Sequence, residues 1–251
     1  MTTLSAKSSS TAALLLLLAL SPASAQVNGA GNPQRTDAVT IHHFPHPLNA
    51  TMGMPDPVGS YNIRLNGFRE VKDGDGKYDV SGHLSYGMFD WGGIHLRSLG
   101  VRSTPFTEII GMVGLWRNEE RSQGISLLGI VGVPTGRKDG EAHHGLSYLA
   151  GFTGRIAVPE AITNDIILHY DFTAKHYIAE TGSVVKLWPN LFVTLDARGT
   201  FGNVRPDISL LSSMKFQVSP GIFLALGYHT PVTSAKTFTH QIFAQLEIGS
   251  H

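Results

Sequence analysis

Residues 191–201 read LFVTLDARGTF, and residues 208–218 read ISLLSSMKFQV. In the first stretch Leu191, Val193, Leu195, Ala197, Gly199 and Phe201 alternate with Phe192, Thr194, Asp196, Arg198 and Thr200. In the second, Ile208, Leu210, Ser212, Met214, Phe216 and Val218 alternate with a set that holds Lys215. Successive side chains of a strand point to opposite faces. Each stretch therefore reads as a strand with one uncharged face and one face that carries ions. Residues 78–88 and 146–156 divide the same way, with Asp79, His83 and Arg155 on the ionisable parity.

Outward from these stretches the pattern fills the chain from Tyr61 onward. Period-two segments cover 61–69, 78–88, 93–99, 107–115, 125–133, 146–156, 162–170, 177–187, 191–201, 208–218, 222–228 and 238–248. No long segment of helical period competes with them. Several alternate joins are tight, at Asp90-Trp91-Gly92, Pro159-Glu160, Pro189-Asn190 and Pro220-Gly221. The joins between are mostly longer and polar, as in VKDGDGK at 71–77 and GRKDGEAHHG at 136–145. The join at 118–124 falls on the tight side yet is longer, which leaves the ends of the fourth and fifth strands least defined.

Alternation alone suits two solutions. A secreted sandwich or lipocalin-like barrel turns its ionisable face to water. A membrane barrel turns its apolar face to lipid and its ionisable face inward. The apolar face here is rich in Leu, Phe and Tyr and persists through nearly every segment. Trp91, Trp116 and Trp188 sit beside tight joins, while Tyr78, Tyr170, Tyr177, Phe201 and Tyr228 sit near the long ones, which gives two aromatic belts. The expected fold is an all-β, antiparallel, up-and-down transmembrane barrel of about 12 strands with an irregular N-terminal arm.

Composition narrows the function. The chain of 251 residues has 19 Lys and Arg against 19 Asp and Glu, and no cysteine. Zero net charge argues against a nucleic-acid partner held by a basic surface. Without cysteine there is no disulfide frame, thiolate metal site or Cys nucleophile. Residues 1–25 carry Lys7, an apolar core at 12–20, Pro22 and the small Ala23-Ser24-Ala25, the order of a cleaved signal peptide. That core spans about 14 Å as a helix, against about 30 Å of hydrocarbon, too short for an anchor. The domains read as 1–25 signal, 26–59 a His/Met/Pro-rich periplasmic arm or plug, and 60–251 barrel, in the outer membrane.

Two motifs suggest a family. Val131-Gly132-Val133-Pro134-Thr135-Gly136 closes a strand before a long loop, and Val218-Ser219-Pro220-Gly221 with Gly227-Tyr228 forms a hairpin. Both resemble the outer-membrane transporters grouped with the MetA pathway of phenol degradation, over roughly residues 125–248. The resemblance implies an outer-membrane transporter-like barrel with lipid around it. It names no defined substrate and no catalytic residue.

Three sets of residues carry candidate chemistry. With parity extended through all segments, Arg64, Asp79, His83, His95, Arg97, Glu108, Arg155, Asp165, His169, Asp171, Glu180, Lys186, Asp196, Arg198, Lys215, His229 and Glu247 point inward. Both signs are mixed, so the interior reads as ion-paired packing or as a lumen for a small solute with weak charge selectivity. His83 and His95 lie on neighbouring strands and offer a luminal metal pair. In the arm, His42, His43, His46, Met52 and Met54 offer imidazole and thioether, a donor set for copper, with zinc as the other candidate ion. The plainer reading is a proline-held arm with incidental histidines and no cofactor. In the loop 136–145, His143 and His144 with Asp139 and Glu141 read as a solvated loop before a metal site.

The expected function is passive transport of small solutes. The alternatives are an envelope metal-handling protein or, further off, a lipid-modifying barrel enzyme built on the outward His240 with Ser234. Asp73-Gly74-Asp75-Gly76 lacks the bidentate Glu of a calcium loop, because position 84 is Leu, and reads as a turn.

Overall fold

The computed structural model describes residues 44–48, 53–71, 76–98, 106–135, 145–158, 161–202, 205–233 and 240–250. These residues form twelve strands in one closed antiparallel barrel. In chain order they are β1 Tyr61–Glu70, β2 Tyr78–Phe89, β3 Gly92–Ser98, β4 Phe106–Arg117, β5 Gln123–Pro134 and β6 Ser147–Val158. They continue with β7 Ile162–Asp171, β8 His176–Trp188, β9 Leu191–Gly202, β10 Asp207–Ser219, β11 Ile222–Pro231 and β12 Gln241–Gly249. Each strand pairs with its neighbour in sequence, and β1 pairs with β12, from Asn62↔Gly249 to Glu70↔Gln241, to close the ring. No strand edge is left open, the condition for a sheet to sit in hydrocarbon.

The faces are those the alternation predicts for a membrane barrel. Tyr78, Val80, Leu84, Tyr86 and Met88 of β2 are exposed, as are Tyr148, Phe152 and Ile156 of β6 and Met214, Phe216 and Val218 of β10. On the opposite parity Arg64, Asp165, Lys215 and Glu247 are almost fully buried. A water-soluble fold has the reverse arrangement, apolar inside and ionic outside. Trp91, Trp116 and Trp188 are exposed at one rim, and Tyr78, Tyr177 and Tyr228 at the other. No helix among the described residues is long and apolar enough to cross a membrane.

The tight-turn rim has its own local order. Register shifts occur in β2 between Gly87 and Phe89, in β4 between Gly114 and Trp116, in β8 between Lys186 and Trp188, and in β10 between Gln217 and Ser219. All four lie within a few residues of a short join. A bulge adds twist and bends its strand, which helps the sheet curl shut. Gly221, at φ 73°, takes the left-handed position of the β10–β11 turn. The doubtful β4–β5 join is a compact loop. Asn118 Oδ1 accepts from Gln123 N at 3.0 Å, and Asn118 Nδ2 donates to Ser122 Oγ at 2.7 Å. β4 and β5 are in register from Phe106↔Pro134 downward. A side-chain clasp from one asparagine replaces the two-residue turn.

Candidate functional site in the barrel interior

The segment before β1 reads FPHPL at 44–48 and GMPDPVGS at 53–60. Pro45, Pro47, Pro55 and Pro57 have no N–H and hold the chain extended. Such a segment has more carbonyls than amide donors, so burying it requires donors from elsewhere. The wall formed by β10, β12 and β1 supplies them. Lys215 Nζ donates to His46 O at 2.5 Å, Arg64 Nη1 to Pro47 O at 2.7 Å, and Gln245 Nε2 approaches Leu48 O at 3.4 Å.

Glu247 on β12 is the centre of this contact. Its Oε1 accepts from His46 N at 3.0 Å and from Asn62 Nδ2 at 3.0 Å, and it meets His46 Nδ1 at 2.6 Å. Its Oε2 accepts from Lys215 Nζ at 2.6 Å. A carboxylate buried this deeply is tolerable only with such a full set of partners. Apolar contacts flank the ionic one. Phe44 packs with Val184, Phe192 and Phe223, edge-on to Phe192 at 5.5 Å. Leu48 packs with Leu211, Ala225 and Phe243.

Residues 53–60 run along the other side of the tight-turn rim. Met54 is buried against Gly124 of β5, where any Cβ would strike its sulfur. Gly87 of β2 plays the same part for the Pro57 carbonyl. Arg121 Nη2 donates to Pro55 O at 3.2 Å. Gly59 N donates to Gly87 O, and Gly87 N to Ser60 O, which hands the chain onto β2 as β1 begins.

The wall from β3 to β9 is built differently, from side chains meeting side chains. Arg97 Nε donates to Glu108 Oε2 at 2.6 Å, between register partners on β3 and β4. Arg97 Nη1 stands 3.9 Å from Glu180 Oε2 on β8, which lies nearly opposite β3 in the ring. Arg198 Nε is 3.4 Å from Glu180 Oε1. This ionic layer crosses the barrel interior. Nearer the tight-turn rim Arg155 grips Asp165 with two parallel bonds of 2.7 and 2.8 Å. His83 meets Arg64 through Nδ1 and the His95 Nδ1 through Nε2 at 3.0 Å.

Two features of this wall were not read from the sequence. An apolar cluster of Ile110, Met112, Leu128, Ile130, Leu149, Ile167 and Ile178 faces inward, so the interior is not lined by mixed charge throughout. The signal was present in IIGMVGL at 109–115 and LLGIVGV at 127–133, where both parities are apolar. Such runs mark strands apolar on both faces. The second is the isolation of His169, which parity reads as inward-facing: it is 2% exposed and its two ring nitrogens have no hydrogen-bond partner. Asp56 Oδ2 and His95 Nε2 are also buried without one.

The remaining candidates are placed as follows. Asp196 is buried, while Asp79, Asp171, Lys186, Arg198 and His229 are partly exposed. Asp79 bonds locally to Val80 N at 2.9 Å. Of the metal candidates, His46 is held by Glu247 and Met54 by packing, on different walls. His42, His43 and Met52 lie outside the described residues, as do the signal segment, His143, His144 and Ser234. Among the described residues no group of three His, Asp or Glu is placed to hold a metal ion. On the outer wall His240 stacks on Tyr228 and meets Thr230 Oγ1 at 2.9 Å.

No family model and no curated protein matches the chain. Solved structures do. The KdgM porin superposes with a TM-score of 0.54 at 10% identity, covering 75% of this chain and 99% of that one. The NanC porin gives 0.55 at 8% identity, with 75% and 98% covered. The COG4313 outer membrane channel from Pseudomonas putida F1 gives 0.58 at 9% identity, with 80% and 99% covered. At these identities the likeness is one of fold, and the fold is that of outer-membrane channels. The MetA-pathway type suggested by Val131–Gly136 is not singled out.

Proposed function

We propose that this barrel sits in an outer membrane and passes small solutes passively, and that residues 44–48 and 53–59 of the arm close it from the tight-turn side. The observation that carries the reading is the inverted distribution of polarity around a closed ring. Uncharged Leu, Phe and Tyr face outward, and Arg64, Arg97, Lys215 and Glu247 face in. A polar interior enclosed by an apolar exterior is the arrangement that lines an outer-membrane channel. The likeness to the KdgM and NanC porins supports the same reading; one solved KdgM structure is described as a complex with disordered oligogalacturonate.

The mechanism is steric and electrostatic, with no bond made or broken. Lys215, Arg64 and Gln245 hold the carbonyls of residues 46–48, and Glu247 holds the His46 amide and ring. Withdrawal of the segment exposes these same groups to the solute. The ionic layer of Arg97, Glu108, Glu180 and Arg198 then forms the second constriction. Residues 1–25 direct export and are removed, and the tight turns face the periplasm.

The test is conductance of the purified barrel in planar bilayers, as the mature chain and as a form lacking residues 26–57. Small or absent steps from the mature chain and larger, stable steps from the shortened one are expected. No steps from either form would overturn the channel reading.

A further inference from the structure

We propose that the outer wall of β7 and β8 is a docking face for a second copy of this chain, which pairs through Asn164, Thr181 and Ser183 about a two-fold axis. This goes beyond the channel reading. It rests on the membrane setting of that reading and not on conduction.

The first support is a polar group on the lipid-facing side. On β7, Thr163, Asp165, Ile167 and His169 are buried inside, so Asn164 shares the outward parity with Ile162, Ile166 and Leu168. On β8, Ile178, Glu180 and Val184 are inside, and Thr181 and Ser183 share the outward parity with Ala179 and Val185. Asn164 is the register partner of Ser183 on β8 and of Ile156 on β6. The three polar side chains are thus one group, framed by Ile156, Ile162, Ile166 and Val185. Trp188, at the end of β8, marks the headgroup level below them. On the outward parity of the other strands, described polar side chains other than tyrosine lie at or beside strand ends, with Ser212 of β10 the one exception.

The second support is the hydrogen-bond balance. Asn164 Oδ1 accepts from Thr181 Oγ1 at 3.1 Å and from Ser183 Oγ at 3.0 Å. Both hydroxyl protons are then in use, and both hydroxyl oxygens keep lone pairs. Asn164 Nδ2 carries two N–H groups and has no hydrogen-bond partner among the described residues. Hydrocarbon offers no acceptor, and an unmet amide donor there is costly. Surplus donors and surplus acceptors lie on the same patch, so the patch is complementary to itself. An isologous contact sets the Asn164 amide of each copy against the hydroxyl oxygens of the other.

The third support is room for close approach. Thr181 pairs with Ala197 of β9, and Ala179 is the next outward residue on β8. Val185 pairs with Val193. The side chains of this strip are short, where the walls at β2, β10 and β11 carry exposed Tyr86, Met88, Met214, Phe216 and Leu226. Short side chains let two membrane segments approach closely enough for side-chain hydrogen bonds.

The experiment uses the absence of cysteine from the chain. The mature chain carrying Ile166→Cys or Val185→Cys is reconstituted in phospholipid vesicles and treated with a short bismaleimide. Leu84→Cys is the control, because β2 lies opposite β8 in the ring and Leu84 is exposed. Flotation with the vesicles and heat-modifiable migration on gels verify that each variant is inserted and folded. A covalent dimer is expected from Ile166→Cys and Val185→Cys, and monomer from Leu84→Cys. Asn164→Leu in the Val185→Cys background gives the lipid face an apolar side chain. It is expected to weaken dimerisation about tenfold, read from the cross-linked fraction at decreasing protein-to-lipid ratio. Asn164→Gln, which keeps the amide, is expected to retain part of the dimer. The proposal is overturned if the β7 and β8 cysteines give no more dimer than Leu84→Cys, which leaves the strip to lipid or to another protein. It is equally overturned if Asn164→Leu dimerises as well as its parent. A chain that floats yet stays monomeric ends this proposal and leaves the channel reading standing. A chain that fails to float with the vesicles ends the membrane reading and this proposal with it.

Discussion

The two halves of the barrel interior meet the same physical demand in opposite ways. Both bury ionisable side chains, and a buried polar group must find a partner. The β10–β12–β1 half finds its partners in the chain's own backbone. Lys215, Arg64 and Gln245 point at the carbonyls of His46, Pro47 and Leu48, and Glu247 takes the His46 amide. The β3–β9 half finds them in opposing side chains, Arg97 with Glu108 and Arg155 with Asp165. The difference teaches that one half is complete only with residues 46–48 in place. The other is held together mainly by its own side chains, although His95 Nε2, Ser126 Oγ and both nitrogens of His169 are buried without a partner.

The largest expected effect comes from breaking that asymmetry outright. Deleting residues 26–57 leaves the β10–β12–β1 groups without their carbonyl partners and is expected to raise single-channel conductance severalfold. The β3–β9 ion pairs should be untouched. If conductance is unchanged, the segment does not obstruct the pathway.

Next in size, Glu247→Leu strands Lys215, which is fully buried, next to no equivalent acceptor from β12. Loss of one member of a buried pair costs about 3–5 kcal/mol. A clear drop in the temperature at which the barrel loses its fast gel migration is expected. An unchanged midpoint would mean that the Glu247 cluster is held by packing alone.

A milder change separates the segment from the wall. At Gly124 any Cβ meets the Met54 sulfur, the end of a flexible side chain. Gly124→Val is expected to loosen residues 53–57 and raise conductance by less than the deletion, with thermal stability close to wild type. Equal conductance in Gly124→Val and wild type would show that Met54 finds another seat.

The smallest effect sharpens the other half. Glu180→Gln removes one negative charge shared by Arg97 and Arg198. The reversal potential across a salt gradient is expected to shift by a few millivolts toward anion preference, with stability little changed because Glu108 still holds Arg97. A shift toward cations would place the conducting path away from this layer.

Much of this molecule is legible along the chain, for a reason that particular residues make plain. Strand direction and facing are local properties, and Leu195 and Asp196 declare opposite faces within one residue of each other. The aromatic rims were equally readable at Trp91, Trp116 and Trp188. The interior was only half readable. Arg97 and Glu108 could be assigned to one face, but their pairing depends on the register between β3 and β4, and the approach to Glu180 on the curvature of the whole ring. The apolar inner wall was hidden because Ile110 and Leu128 look the same in sequence whether they face lipid or lumen. His46 looked like a metal ligand beside His42 and His43, and nothing nearby in sequence announces Glu247, two hundred residues on.

The sequence by itself pointed to a closed sheet with an uncharged exterior, because period-two alternation is written in adjacent residues and the aromatic belts at Trp91, Trp116 and Trp188 and at Tyr78, Tyr177 and Tyr228 favour the membrane barrel over the sandwich. The tertiary structure decided what fills that sheet. Which arginine meets which carboxylate, and that a proline-rich stretch supplies carbonyls to Lys215 and Arg64, are outcomes of distance through space. Electrostatic and hydrogen-bond partners are chosen over a few ångströms across the ring, and the chain order carries no record of that separation.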